Sequence, residues 1–159
     1  MADSAGVTVR QATREDAGTV VEFMLAMARE TEGRELDAER LRRGVRGIFE
    51  RPGRGTYFVA EFGGQVVGSL LITFEWSDWR DGDFWWIQSV YVRPDARRRG
   101  VYAALHRHVE AAARATGGCG LRLYVDKHNE KARNAYLRMG LSASHYDMYE
   151  NDFVLPAPK

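Results

Sequence analysis

The sequence has a single cysteine, Cys119, in 159 residues. One thiol closes no internal disulfide, so the fold must rest on its core, and the chain suits a reducing, cytoplasmic compartment. Charge of one sign is missing too. Twenty-three Lys and Arg against 22 Asp and Glu leave a formal net charge of +1, which gives no broad basic field for nucleic acid. No apolar run approaches the roughly 20 residues a membrane span needs. The opening MADSAGVTVR lacks the basic and apolar segments of a secretion signal. Neither G-x-x-x-x-G-K-[ST] nor G-x-G-x-x-G occurs, which excludes a P-loop and a dinucleotide fold of the usual kind. His106, His108 and His128 do not fall with cysteines or acids at metal-ligand spacing, so no metal is expected. Cys119, between two glycines, reads as a small buried residue rather than a nucleophile.

What is present suits one domain over 1–159 with a sizeable core, 45% of the residues being hydrophobic. Val7 to Arg10 reads as a strand. Thr13 and Asp16 make a capping signal for a helix to about Arg29, and Asp37 an N-cap for a second one ended by Pro52-Gly53. Tyr57–Phe62 and Val66–Phe74 read as a hairpin around Gly63-Gly64. Glu75–Asp83 is a polar, tryptophan-bearing loop, and Phe84–Val92 a strand covered on both faces. A helix from Val101 is closed by Gly117-Gly118. Leu121–Val125 alternates as a strand, and Asn129 or Asp126 caps a helix running to about Met139. His145–Glu150 is a last strand, and residues from about 153 fray. The order is mixed α/β.

The segment from Val90 to Val109 is electrostatically odd. Arg97, Arg98 and Arg99 stand at the N-terminus of a helix, where the backbone dipole disfavours cations. Unpaired amides and Gly100 at the same place make an anion site, with phosphate the natural occupant.

In this segment Val92, Pro94, Arg97 and Gly100 fit V-x-P-x-x-R-x-x-G in order and spacing. Asn129, Ala132, Tyr136, Gly140 and Leu141 fit N-x-x-A-x-x-x-Y-x-x-x-G-[FL]. With both blocks and the element order, nearly the whole chain resembles the GNAT superfamily of N-acetyltransferases. That resemblance implies an acyl-CoA N-acyltransferase fold: a central, mostly antiparallel twisted sheet, flanked by helices, with strands 4 and 5 splayed. It implies acetyl-CoA as cosubstrate and an amine as acceptor. The diphosphate would be held by the amides of Arg98, Arg99, Gly100, Val101, Tyr102 and Ala103 and by the arginine side chains, Arg97 included. The pantetheine arm would pair with Ser89, Val90, Tyr91 and Val92 as an added strand, and an N–H near Ser89 or Val90 would polarise the thioester carbonyl. Asn129, Ala132 and Tyr136 complete the cofactor set. Tyr136 takes the family's general-acid position; on spacing alone it would instead fill core. Tyr102 replaces the family's Gly or Ala, so its side chain must turn away from the diphosphate or cover it.

The base is open. Gln88 stands where many relatives carry Glu, and an amide can orient a water but not accept its proton. Glu30, Glu32, Glu75, Asp78 and His145 are the other candidates. Glu30, Glu32, Trp76, Asp78 and Gln88 are expected at the acceptor, among the dense Trp76, Trp79, Trp85 and Trp86. Aromatic faces beside carboxylates suit a cationic amine, although such tryptophans also serve as core or homodimer surface. A small amine or amino-acid derivative is favoured over a protein lysine, and no feature excludes a peptide. The rival reading is a non-catalytic CoA-binding sensor of the same fold.

Overall fold

The computed structural model describes residues 6–155; the expectations placed on residues 1–5 and on the tail from 156 lie outside them. The chain divides into two compact units, Met1–Tyr124 and Val125–Lys159.

The first unit runs β1 (Val7–Gln11), α1 (Ala17–Glu32), α2 (Ala38–Glu50), β2 (Thr56–Phe62), β3 (Gln65–Ser77), β4 (Gly82–Val92), α3 (Val101–Ala115) and β5 (Gly120–Arg122). The strands form one sheet in the order β1-β2-β3-β4-β5, antiparallel except for the parallel pair β4–β5. Two apolar layers hold it. Tyr57, Val59 and Tyr91 on one face meet Val20, Val21, Phe23 and Met24 of α1 and Val45 of α2. On the other face Phe58, Leu70, Ile72, Trp85 and Ile87 pack against Val101, Leu105, Val109 and Ala113 of α3. Gly68 sets that second contact: a Cβ there would lie 3.1 Å from both Val101 Cγ1 and the Tyr91 carbonyl. Its bare backbone lets the first turn of α3 settle on β3, beside the end of β4.

Local chemistry explains most element ends. The signal at Thr13–Asp16 closes a 3₁₀ turn, in which the Asp16 carboxylate accepts from the Thr13 N–H at 2.7 Å and binds Arg10 at 2.7 and 3.0 Å. The helix proper begins one residue later and runs to Glu32, beyond Arg29. Asp37 caps α2, its Oδ1 accepting from the Arg40 N–H at 3.0 Å.

The tryptophan-bearing loop expected at Glu75–Asp83 is mostly strand. Glu75 and Trp76 pair across with Phe84 and Asp83, and only the turn at Asp78–Arg80 with Asp81 remains. Cross-strand packing of these large side chains outweighs their polar neighbours. Conversely, β5 ends at Arg122 rather than Val125. The register of β3 against β4 shifts after Leu71, leaving Gln88 without an opposite residue. Such a bulge bends its strand, and β4 pairs with β5 over Phe84–Trp86 alone. Strands 4 and 5 are thus splayed.

The second unit carries α4 (Glu130–Arg138). Asn129 caps it, Oδ1 accepting from the Ala132 N–H at 3.0 Å, while Asp126 takes the His128 N–H at 2.7 Å. The expected strand at His145–Glu150 does not form: it has no ladder partner among the described residues, and Tyr146 and Tyr149 are exposed. No described helix is long and apolar enough to cross a membrane.

Candidate active site

From Ile87 to Val92, β4 has β3 as its one ladder partner. Six residues of strand edge, about 20 Å at 3.3 Å per residue, face the gap left by β5. An extended chain with amides can add itself to such an edge. Ser89, Val90, Tyr91 and Val92 lie on this stretch, and the Tyr91 side chain is buried under α1, its ring 5.2 Å from that of Phe23. The sequence offered one sign of the bulge, the polar pair Gln88-Ser89 inside an apolar strand.

Beyond Val92 the chain makes a 3₁₀ turn at Pro94–Ala96, and enters α3 through left-handed residues Arg98 (φ 63°) and Gly100 (φ 74°). Arg98 is strained there, since L side chains disfavour that region, whereas Gly100 is not. The amides of Arg98, Arg99 and Gly100 donate to no backbone carbonyl among the described residues. Those of Val101 and Ala103 lie in the first turn of α3, where amides have no intrahelical carbonyl to donate to.

The three arginines differ. Arg97 donates from Nε to the Val92 carbonyl at 2.9 Å and pairs through Nη2 with Glu30. Its guanidinium lies 5.7 Å from the centre of the Tyr91 ring, and the Tyr91 O–H donates to Glu30 at 2.7 Å. Arg97 and then Tyr91 hold the Glu30 carboxyl below its ordinary value; burial first, then Glu30, pushes the Tyr91 phenol up. Arg99 lies over the Phe62 ring at 5.3 Å. Neither Arg98 nor Arg99 forms an ion pair with a carboxylate among the described residues, although, after Arg93, Arg99 lies close enough to Asp95 to help hold its carboxyl below the ordinary value. The charge at the helix start that has no ion pair therefore belongs to these two. Tyr102 runs along α3, its O–H 3.4 Å from Nδ1 of His106, a buried histidine whose pKa burial lowers.

Next to the covered part of the α1-side face lies an open platform. Gln88 Nε2 donates to Thr73 at 2.8 Å, and the Tyr124 O–H approaches Gln88 Oε1 at 3.4 Å. The Trp86 indole N–H donates to Glu75 at 2.8 Å, and Arg122 pairs with the same carboxylate while lying 3.6 Å from the centre of the Phe84 ring. Gln88, Glu75 and Trp86 are thus brought together. Trp76 is not: alternation puts it on the opposite face. The Asp78 carboxylate accepts from the Trp79 N–H within its own turn (2.9 Å), and Glu32 pairs with Arg34 at 3.8 Å. Glu30 stands at the arginine loop. Sequence reasoning missed Thr73, Arg122 and Tyr124, although the alternation L-R-L-Y at 121–124 sets the last two on one face.

In the second unit, Asn129 is engaged as the α4 cap, with Ala132 as its donor. Tyr136 is half-buried on α4, and burial raises its phenol above the ordinary 10. The His145 ring stacks near Tyr146 at 4.0 Å. Among the described residues no three His, Cys, Asp or Glu side chains gather as metal ligands.

The profile of the Acetyltransferase (GNAT) family matches residues 19–141. No curated protein matches the chain. Among solved structures, a possible acetyltransferase from Clostridium difficile 630 is 36% identical with a TM-score of 0.87, over 94% of this chain and 99% of that one. A ribosomal-protein-alanine N-acetyltransferase from Brucella melitensis biovar Abortus 2308 shares the fold at 16% identity and TM-score 0.74, covering 92% and 99%. So does an aminoglycoside acetyltransferase from an uncultured soil metagenomic sample, at 16% and 0.75, covering 95% and 98%.

Proposed function

The chain belongs to the GNAT acetyltransferase family, and from that membership we propose that it transfers an acetyl group from acetyl-CoA to a primary amine. The observation that carries the cofactor half is the open edge of β4 running straight into the Arg98–Ala103 amides. A pantetheine arm has two amides to offer that edge, and a diphosphate fits the loop beyond it. Arg98 and Arg99 supply charge-assisted contacts, about twice as strong as neutral ones. Arg97 shapes the loop from behind.

The amine nitrogen attacks the thioester carbonyl carbon, whose oxygen is held by an N–H at Ser89 or Val90. The C–S bond then breaks, the sulfur takes its proton from Tyr136, and the phenol is restored by the proton that the attacking nitrogen sheds through water. A phenol of raised pKa is neutral throughout the working range and acts as a hydrogen bond that tightens as thiolate charge develops. The ammonium proton leaves through water oriented by Gln88, with Glu75 the nearest carboxylate on the platform. An acceptor pairing an amine with a carboxylate, as amino-acid derivatives do, matches the Glu75–Arg122 pair. Proteins of this fold named for a ribosomal-protein alanine and for aminoglycosides leave the choice to the platform's chemistry.

The test is thiol release from acetyl-CoA over a panel of amino acids, small amines and peptides. Turnover with amino-acid derivatives first is expected. Tight CoA binding with no turnover on any amine would replace the enzyme by a CoA sensor. Tyr136→Phe should lower kcat about 10²-fold, far more than it weakens acetyl-CoA binding; an unchanged kcat would return Tyr136 to packing.

A further inference from the structure

A cleft of about 430 Å³ at the far end of α3 has no part in this chemistry. It opens on the α3-side face, where Phe74, Trp76 and Trp85 line it with Asp81, Asp83 and the helix exit at Gly117-Gly118. Its volume falls within the range of small-molecule sites. From Asp83 to Ser89 is six residues of strand, about 20 Å, and Gln88 faces the other way. The cleft is therefore separate from the transfer platform.

Its chemistry is one-sided. Trp76 is 61% exposed, a large ring left in water beside Asp83, its cross-strand partner. Phe74 and Trp85 meet edge to face, with centres 5.4 Å apart. Neither Asp81 nor Asp83 has a cationic partner among the described residues, and no Lys or Arg lines the cleft. The guanidiniums of Arg80 and Arg122 lie over the Phe84 ring, whose neighbours Trp86 and Glu75 mark the other face, and that of Arg114 in the last turn of α3 pairs with Glu110. The C-terminal end of α3 adds partial negative charge. One further group points to a ligand. Trp85 lines the cleft, and its indole N–H donates to no acceptor among the described residues while staying open to the cleft. Glycine keeps that N–H accessible, because a Cβ at Gly118 would sit 3.1 Å from Nε1.

Rings beside unpaired carboxylates select an organic cation, and an indole N–H that opens on the cleft with no protein acceptor offers a donor to an oxygen on the same ligand. We propose that this cleft binds a small organic ammonium ion bearing a hydroxyl group, at a site separate from acetyl transfer. The ammonium sits against Trp76 and Asp83, and the hydroxyl oxygen accepts from Trp85.

Choline is the probe, because it has no acylatable nitrogen and its binding is read apart from turnover. Calorimetry on the full chain should show saturable choline binding, about tenfold tighter than that of its uncharged analogue 3,3-dimethylbutan-1-ol and several-fold tighter than that of tetramethylammonium. Asp83→Asn and Trp76→Ala should each weaken it about tenfold, with acetyl-CoA affinity and circular dichroism unchanged as proof of folding. Unsaturable heats, equal affinity for the neutral alcohol, or unaltered choline binding in Asp83→Asn would overturn the site.

Discussion

The Glu30 carboxylate is shared between a guanidinium and a phenol, and that sharing defines its work. Although α1 and the loop after β4 are far apart in sequence, Glu30 ties them by binding Arg97 and Tyr91 together. Both ends are partly exposed, so the ion pair contributes about 0.2–1 kcal/mol and the phenol bond about 1 kcal/mol. Glu30→Ala should therefore weaken acetyl-CoA binding roughly three- to tenfold through a less ordered loop, with kcat at saturation little changed. A fall in kcat at unchanged affinity would make Glu30 part of proton transfer instead. Asp16 is the other residue whose partners decide its effect. Arg10 first, against a smaller cost of burial, holds its carboxyl below the ordinary 3.8. A lowered folded-state pKa gives stability that is complete above the unfolded value and lost as pH falls through the folded one. Asp16→Asn should cost about 1–3 kcal/mol near neutrality, with the gap to the parent closing below about pH 4; urea titrations from pH 3 to 7 would show it. Neither pairing was legible beforehand. Sequence marks charge, whereas the partner of a charge 67 positions away is set by packing.

At the scale of elements, patterning did well where a local rule governs. Asp37 and Asn129 cap helices as their types and positions indicate. It failed where neighbouring strands decide. Glu75–Asp83 looks polar in isolation, yet pairing of Glu75 with Phe84 and of Trp76 with Asp83 across the hairpin makes its first residues strand. The bulge at Gln88 shortens β5 and opens β4, a tertiary event that no single-strand pattern encodes. His145–Glu150 alternates like a strand, but alternation without a ladder forms none. Gly68 is where two elements meet most closely. Gly68→Ala must push α3 or β3 by a few tenths of an ångström, at about 1–3 kcal/mol, measured as a shift in the urea midpoint at constant slope. An unchanged midpoint would mean that the first turn of α3 gives way freely.

For the molecule as a whole, two short blocks at the right separation were enough to reach the family, and the family brought the fold. The candidate site was legible only in part. Its proposed cofactor half rests on backbone features, a glycine, a helix start and an arginine run, which sequence displays directly. Its acceptor half depends on which side chains share a face, and the bulge and the longer hairpin rearranged those: Trp76 went to the far face, while Thr73, Arg122 and Tyr124 joined Gln88. The division of labour among the arginines is the central claim of the cofactor half. Calorimetric titration of acetyl-CoA into the parent and into the Arg98→Glu/Arg99→Glu variant, at two salt concentrations, tests it most directly. The account predicts saturable binding to the parent that weakens with salt, and a loss of about tenfold or more in the variant. Equal affinity in both proteins, or no binding to the parent, would contradict it.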